Sequence, residues 1–198
     1  MSRRYGAFVA SSTLRETILR TAVDHIAEHG PDSLSFRKLA SDAGVSHQAP
    51  YHHFVDRRGV FRAIALEGFT KLGEAMVEAQ SVPADQQAES LFEAYVEFAL
   101  ANTGHFRVMF RRDLCEMEDD PELRGFADAA FDMLVDHVRG SLGDGASIND
   151  IRARATAMWT LAHGLATLLI EGPLEEKVGP VTDRRAFIRS VARQSGLA

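Results

Sequence analysis

The sequence predicts an all-α protein: an N-terminal three-helix head with a helix-turn-helix, linked by a long helix to a C-terminal helical bundle. Three observations predict it. Almost every apolar run repeats at helical spacing, and no segment alternates convincingly at period two. Glycine, proline and short polar residues fall where helices stop and start. A lone Gly44 separates two short helical stretches near the N-terminus, the spacing a helix-turn-helix needs.

The elements follow in chain order. Leu14, Ile18, Ala22 and Ile26 share one face of a first helix, which Gly30 and Pro31 end. Ser35 is the N-cap of a short second helix, with Leu34 and Leu39 placed to pack across its start as a hydrophobic staple. Ser46 is the candidate N-cap of a third, running to about Phe54. Asp56 caps a fourth helix reaching about Ala79, with Val55 and Val60 as a second staple. Pro83 breaks the chain before a fifth helix carrying Leu91, Tyr95 and Phe98, and Gly104 interrupts before the stretch Phe106 to Phe110. Asp120-Pro121 is an N-cap followed by proline at the first helical position. Ser147 and Asp150 resemble a capping box for a long helix through Ile170, and a last helix carries Phe187, Ile188 and Val191. About nine helices are expected, with residues 1–58 as the head, 59–198 as the second domain, and the helix from about 56 linking them.

Composition narrows the function. The chain has 198 residues and a formal charge of −6, so the whole molecule is no basic coat for nucleic acid. The charge is uneven: residues 1–71 hold 10 Lys/Arg against 7 Asp/Glu, leaving 12 against 21 in the remainder. Only the head therefore suits a polyanion. The single Cys115 excludes an intramolecular disulfide and any multi-cysteine zinc site, and it fits a reducing compartment. No apolar run approaches the roughly 20 residues that cross a bilayer, and the N-terminus lacks a signal-like apolar stretch. A cytoplasmic protein with no membrane partner is the expectation.

The informative stretch is Leu34 to Phe61. Ala40 is small where two helices cross, Gly44 makes the turn, and Val45 is expected beneath it. Ser46, His47, Gln48, Ala49 and His52 would then be the exposed residues of the second helix, as hydrogen-bonding or small side chains suited to groove edges and phosphates. The run "SLSFRKLASDAGVSHQAPYHHFVDRRGVF" carries LA-x-x-AGVS followed by Y-x-x-F and a basic helix start. On these motifs Thr13 to Lys71 resembles the DNA-binding domain of the TetR family of bacterial transcriptional regulators. Trp159 to Gly164 further resembles a subgroup with a Trp-x-x-x-His-Gly signature.

The resemblance implies roles. Ser35 and Arg37 would hold phosphate at the first motif helix, and Ser46, His47, Gln48, Tyr51 and His52 would lie on the reading helix. Arg57, where the family usually has lysine, would meet a phosphate at the fourth helix start. Pro50, where many members have leucine, falls near the fourth helical position and would remove one hydrogen bond. The resemblance also implies a homodimer on a palindromic double-stranded operator, with its interface on the last two long helices. Met158, Ala162, Leu165, Leu169, Phe187 and Val191 are the expected contacts. It implies a repressor released by a small apolar effector of unknown identity, bound near Phe106, Phe110, Phe131, Trp159 and His163, with the fourth helix transmitting the change.

Other readings were weighed against these. His25 and His29 stand one turn apart on a helix, but no cysteine or carboxylate cluster completes a metal set, so no metal and no cofactor is expected. The acidic run Asp113 to Glu122 lacks alternating ligand spacing and reads as a solvated loop. The chain has no phosphate-cradling GxxxxGK, no nucleophile elbow, no HExxH and no Glu-x-x-His pair, and no enzymatic activity is expected. A regulator whose second domain only dimerises stays open, as does, more remotely, an enzyme built in a helical bundle.

Overall fold

The computed structural model describes residues 2–115, 117–143 and 145–196, with side chains from residue 13 onward except that of Pro173. Eleven α-helices and no strand occur among the described residues. They group into two compact units, residues 1–68 with 102–124, and residues 69–101 with 125–198. The sequence expectation was a contiguous division near 58. A segment from the middle of the chain instead belongs with the head.

The first unit opens with α1, Ser2–His29. It stops where Gly30 adopts φ 77° and donates its N–H to the Ile26 carbonyl at 2.9 Å, a conformation that suits a residue without a Cβ. A single 3₁₀ turn, Pro31–Ser33, leads to α2, Phe36–Asp42. The Ser35 hydroxyl accepts the Lys38 N–H at 3.2 Å, and Leu34 and Leu39 are both buried as their staple requires. Ala40 is fully buried, and the chain turns through Gly44 at φ 65°.

The next helix departs from expectation. α3 spans Ala49–His53, with Gln48 at its N-cap and no side-chain cap bond. Ser46 lies three residues earlier, in the turn, where its carbonyl accepts the Ala49 N–H at 3.0 Å. Pro50 explains the shift, because it occupies the second helical position, where a missing N–H breaks no intrahelical bond. The hydrogen bond it was expected to remove is therefore not lost. Val45 is only half-buried, and Val55 is 89% exposed, so the second staple does not form.

α4, Arg57–Ala79, starts on the Asp56 carboxylate, which accepts the Gly59 N–H at 2.9 Å. α6, Thr103–Met109, replaces the expected interruption at Gly104 and packs along α1. A methyl at residue 104 would collide with the Val23 carbonyl oxygen, so glycine here permits close approach rather than breaking a helix. Arg107 donates at 2.8 Å to the Ala27 carbonyl, which Pro31 four residues on cannot serve, and at 3.3 Å to the Ile26 carbonyl that Gly30 already reaches. α7, Arg112–Cys115, places the Cys115 thiol in the interior, where burial pushes it up to about 12. Asp120 then caps α8, Pro121–Leu142, through the Leu123 N–H at 3.0 Å and is gripped by the Arg62 guanidinium.

In the second unit α5, Gln87–Ala101, packs on α9, Ile148–Glu171, and on α11, Arg184–Gln194. The short α10, Pro173–Val178, was not expected from the sequence; it follows Gly172, whose φ of 85° ends α9. Ser147 caps α9 through the Asp150 N–H at 3.2 Å, and its hydroxyl reaches the Asp150 carboxylate at 2.7 Å. Arg189 and Arg193 of α11 meet Glu93 and Glu89 of α5, so the two helices are tied by charge around a core of Ile188 and Ala192. Among the described residues no helix is long and apolar enough to cross a membrane.

Two predictions follow from the first unit. Gly104→Ala should destabilise by about 3 kcal/mol, since its obstruction is backbone that cannot move aside. Gly68→Ala should lose clearly less, because it meets the flexible Met109 side chain and regains helix propensity. Urea melts of both variants test the order. Arg62 holds the Asp120 carboxyl below its usual range. Its contribution is therefore complete above the unfolded carboxylate range near pH 4 and is lost as pH falls through the lowered value. Asp120→Asn, which keeps an acceptor for the cap, should be destabilised relative to the parent at pH 7, and the difference should shrink at pH 3.

Candidate nucleic-acid interface

The head builds its outer surface from α2, the Gly44 turn and α3. α1, α2 and α3 pack together through Ile18, Ala22, Leu39, Ala40 and Ala49, all buried. That burial fixes which residues are left outside. Ser46, His47 and Gln48 lie exposed in the turn before α3, and His52 is exposed on it. Tyr51 is 57% exposed, its ring edge against Phe36 at 4.6 Å, so the apolar body is braced and the hydroxyl is outward. Arg37 is exposed on α2. Ser35 is also exposed, although its oxygen already serves as the helix cap. Seven of the eight residues expected to meet DNA thus share this surface of hydrogen-bonding groups and one arginine, whereas Ala49, also expected to be exposed, is buried against the other two helices.

Arg57 is the exception. Its Nη2 donates to the Pro31 carbonyl at 2.6 Å, its guanidinium lies 4.9 Å from the centre of the Phe61 ring, and its Nε is buried without a hydrogen-bond partner. The side chain is turned into the head. A helix N-terminus and a cation suit a phosphate in the abstract, but here a closer carbonyl and an aromatic face take the cation.

His25 and His29 are also structural. The Ser33 hydroxyl donates to the Gly30 carbonyl at 2.7 Å, so it can only accept from His25 Nε2, 3.0 Å away. The other His25 nitrogen lies 3.6 Å from Asp42, and His29 packs edge-on against the same ring at 4.9 Å. Among the described residues no group of three or more His, Cys, Asp or Glu is placed to hold a metal.

The residues expected to line an effector site divide between the units. Phe106 and Phe110 belong to the first, with rings 5.7 Å apart. Phe131, Trp159 and His163 belong to the second, where Phe131 and Trp159 rings are 5.8 Å apart and Trp159 and His163 6.2 Å. Tyr95, which the sequence reading gave to the fifth helix without naming it at this site, joins them. Trp159 Nε1–H donates to its hydroxyl oxygen at 3.2 Å, and that hydroxyl is 2.8 Å from His163 Nδ1. Burial raises the tyrosine's pKa and lowers the histidine's, so both are neutral near pH 7 and the phenol donates to the imidazole. No spacing rule links residues 64 or 68 positions apart, and this pairing left no trace in the sequence.

The expected dimer residues also divide. Met158, Ala162 and Leu165 are buried in the interior of their own unit, whereas Leu169, Phe187 and Val191 are half-exposed. The first three are core, not surface left for a partner. Periodicity selects the more apolar face of α9, and that face is the one turned inward.

Comparison with known proteins agrees with this geometry. Residues 18–64 match the family described as "Bacterial regulatory proteins, tetR family", and residues 88–194 match "Tetracyclin repressor-like, C-terminal domain". Over 67 residues the chain is 36% identical to the HTH-type transcriptional repressor AcnR of Corynebacterium diphtheriae, a match covering 34% of this chain and 35% of that protein. A Rhodococcus sp. RHA1 structure of unknown function is 30% identical, covering 91% of this chain and 94% of its own, with a TM-score of 0.72. The TetR-like regulator LfrR of Mycobacterium smegmatis, in complex with proflavine, shares the fold at 17% identity and a TM-score of 0.66, covering 93% and 95% of the two chains. The matched C-terminal domain alone spans more than half of the sequence, and with the head before it the chain belongs to the tetR family of bacterial regulatory proteins.

Proposed function

We propose that this DNA-binding regulator is a repressor that grips a palindromic operator as a homodimer and leaves it when a small, largely apolar effector binds. The observation that carries the reading is the head: a short α3 set behind the Gly44 turn, ringed by exposed Ser46, His47, Gln48 and His52. The similarity to repressors over about a third of the chain supports the direction of control. A five-residue reading helix touches few base pairs, and two copies about 34 Å apart would span successive major grooves.

The outward stripe of α9 supports the seam. Ala157, Leu161, Gly164 and Leu168 recur at helical spacing along one flank of the buried face, the first three half-exposed and Leu168 44% exposed. No atom lies within 4 Å of where a Gly164 Cβ would sit, so that side of the helix is open to close approach. Leu169, Phe187 and Val191 remain candidates beside it. The effector reading rests on Phe131, Trp159 and His163 with Tyr95: flat aromatic faces beside neutral polar groups, suited to a flat, weakly polar molecule. A neighbour of the same fold holding proflavine supports that chemistry. Coupling would pass along α4 and through Asn102, where α5 leads into α6 and its grip on α1.

Fluorescence anisotropy on duplexes selected from a random pool tests the head. Arg37→Ala should weaken all duplexes alike and make the salt dependence shallower by about 0.9 in log–log slope. Gln48→Ala or His47→Ala should change which sequence is preferred. Unaltered binding by all three variants would place the reading surface elsewhere.

Sedimentation tests the seam: Leu168→Glu should yield folded monomers with greatly reduced operator affinity. A monomeric parent still tight on a palindrome refutes the dimer. Calorimetry with proflavine as probe, with and without operator, reads the switch. The two should weaken each other by one common factor, about 5- to 150-fold. A probe bound equally well in both cases is not acting as an inducer.

A further inference from the structure

We infer that Arg57 is a positioning residue of the reading head, which sets the placement of the helix-turn-helix without neutralising a DNA phosphate. The inference rests on the DNA-binding reading above and concerns how this one residue serves it.

The geometry is specific. Arg57 is the first residue of α4, separated from the end of α3 by Phe54, Val55 and Asp56, and its Nη2 reaches back across 26 residues to the Pro31 carbonyl at 2.6 Å. Pro31 opens the 3₁₀ turn that joins α1 to α2. One side chain thus ties the end of the helix-turn-helix to its beginning. The guanidinium plane lies 4.9 Å from the centre of the Phe61 ring, and Phe61 is only 2% exposed. The Nε is buried with no hydrogen-bond partner, an arrangement that a flexible surface cation would avoid by rotating into water.

The same contacts explain why arginine stands here. An ammonium can donate to one carbonyl, but it lacks the planar fork that also covers an aromatic ring. A carbonyl and a ring hold the cation at fixed distance from both ends of the motif. A phosphate contact would need that cation to leave both.

Salt dependence separates position from charge. A residue that neutralises a phosphate adds about 0.9 to the log–log slope of affinity against salt, on any duplex. A brace adds nothing to the slope, but its loss misplaces α3 and harms only the selected sequence. The experiment compares the parent, Arg57→Gln, Arg57→Lys and Arg37→Gln on a pool-selected duplex and on a random duplex, from 50 to 300 mM KCl.

The expected result for Arg57→Gln is an unchanged slope on both duplexes, with preference for the selected duplex reduced roughly tenfold, the scale of one lost base contact. Arg57→Lys should lose the same preference although it keeps the charge. Arg37→Gln should lower the slope on both. All are measured well below each variant's midpoint of thermal unfolding; if the Gln variant does not fold, the Lys variant decides alone.

A slope lowered by about one for Arg57→Gln on both duplexes overturns the inference. Full restoration of parental behaviour by Arg57→Lys overturns it too, because that is how a phosphate contact behaves. Failure of the parent itself to bind either duplex would sink the DNA-binding reading instead, an outcome distinct from both.

Discussion

Everything in the head depends on closing the C-terminal end of α1. A helix of this length leaves its last carbonyls without intrahelical donors, and burying them unpaired is costly. Gly30 answers the Ile26 carbonyl from nearby in the chain, and Arg107 of α6 answers that of Ala27 from 80 residues away and shares that of Ile26. That reach is possible only because α6 lies close enough, and it does so because Gly104 has no Cβ to strike Val23. A guanidinium and a missing methyl therefore decide that residues 102–124 belong with the head. A change felt at the start of α6 is by construction a change delivered to the end of α1.

The surface proposed to meet DNA is a consequence of this interior. Once Leu34, Leu39, Ala40, Ala49 and Phe54 are buried, short polar side chains are what the turn and α3 have left to show. Proline in α3 looks like a defect in a reading helix. Its position shows otherwise: at the second helical residue it needs no donor, and it delays the helix so that Ser46 to Gln48 form a turn instead of a first helical turn. The chemistry offered to a groove is thus partly loop and partly helix. Cations take two roles within the same small volume, with Arg37 outward and Arg57 inward.

In the second unit, three polar groups meet at the edge of the aromatic interior. Trp159, Tyr95 and His163 form a hydrogen-bonded chain in which the tyrosine hydroxyl both accepts and donates, so each group is neutral and occupied. Such a chain fixes the tautomer of the histidine and the orientation of the indole. It gives an otherwise adaptable aromatic interior a defined polar edge. On the surface of the same unit, arginines of α11 and glutamates of α5 hold a helix that buries little apolar area of its own.

Much of this was legible in the sequence because its signals are local. Helix starts at Ser35, Asp56, Asp120 and Ser147, the stop at Gly30, the Gly44 turn and the exposure of His47, Gln48 and His52 each depend on neighbours within a few residues. Period and capping report such neighbours directly. The exposure of Val55, the core position of Leu165, the inward turn of Arg57 and the membership of α6 in the head were not legible. Each depends on a partner far along the chain, or on which of two apolar faces meets an interior first. An arginine at a helix start has the same sequence whether it faces a phosphate or a buried carbonyl. Only the tertiary structure, by bringing Pro31 within its reach, decided which.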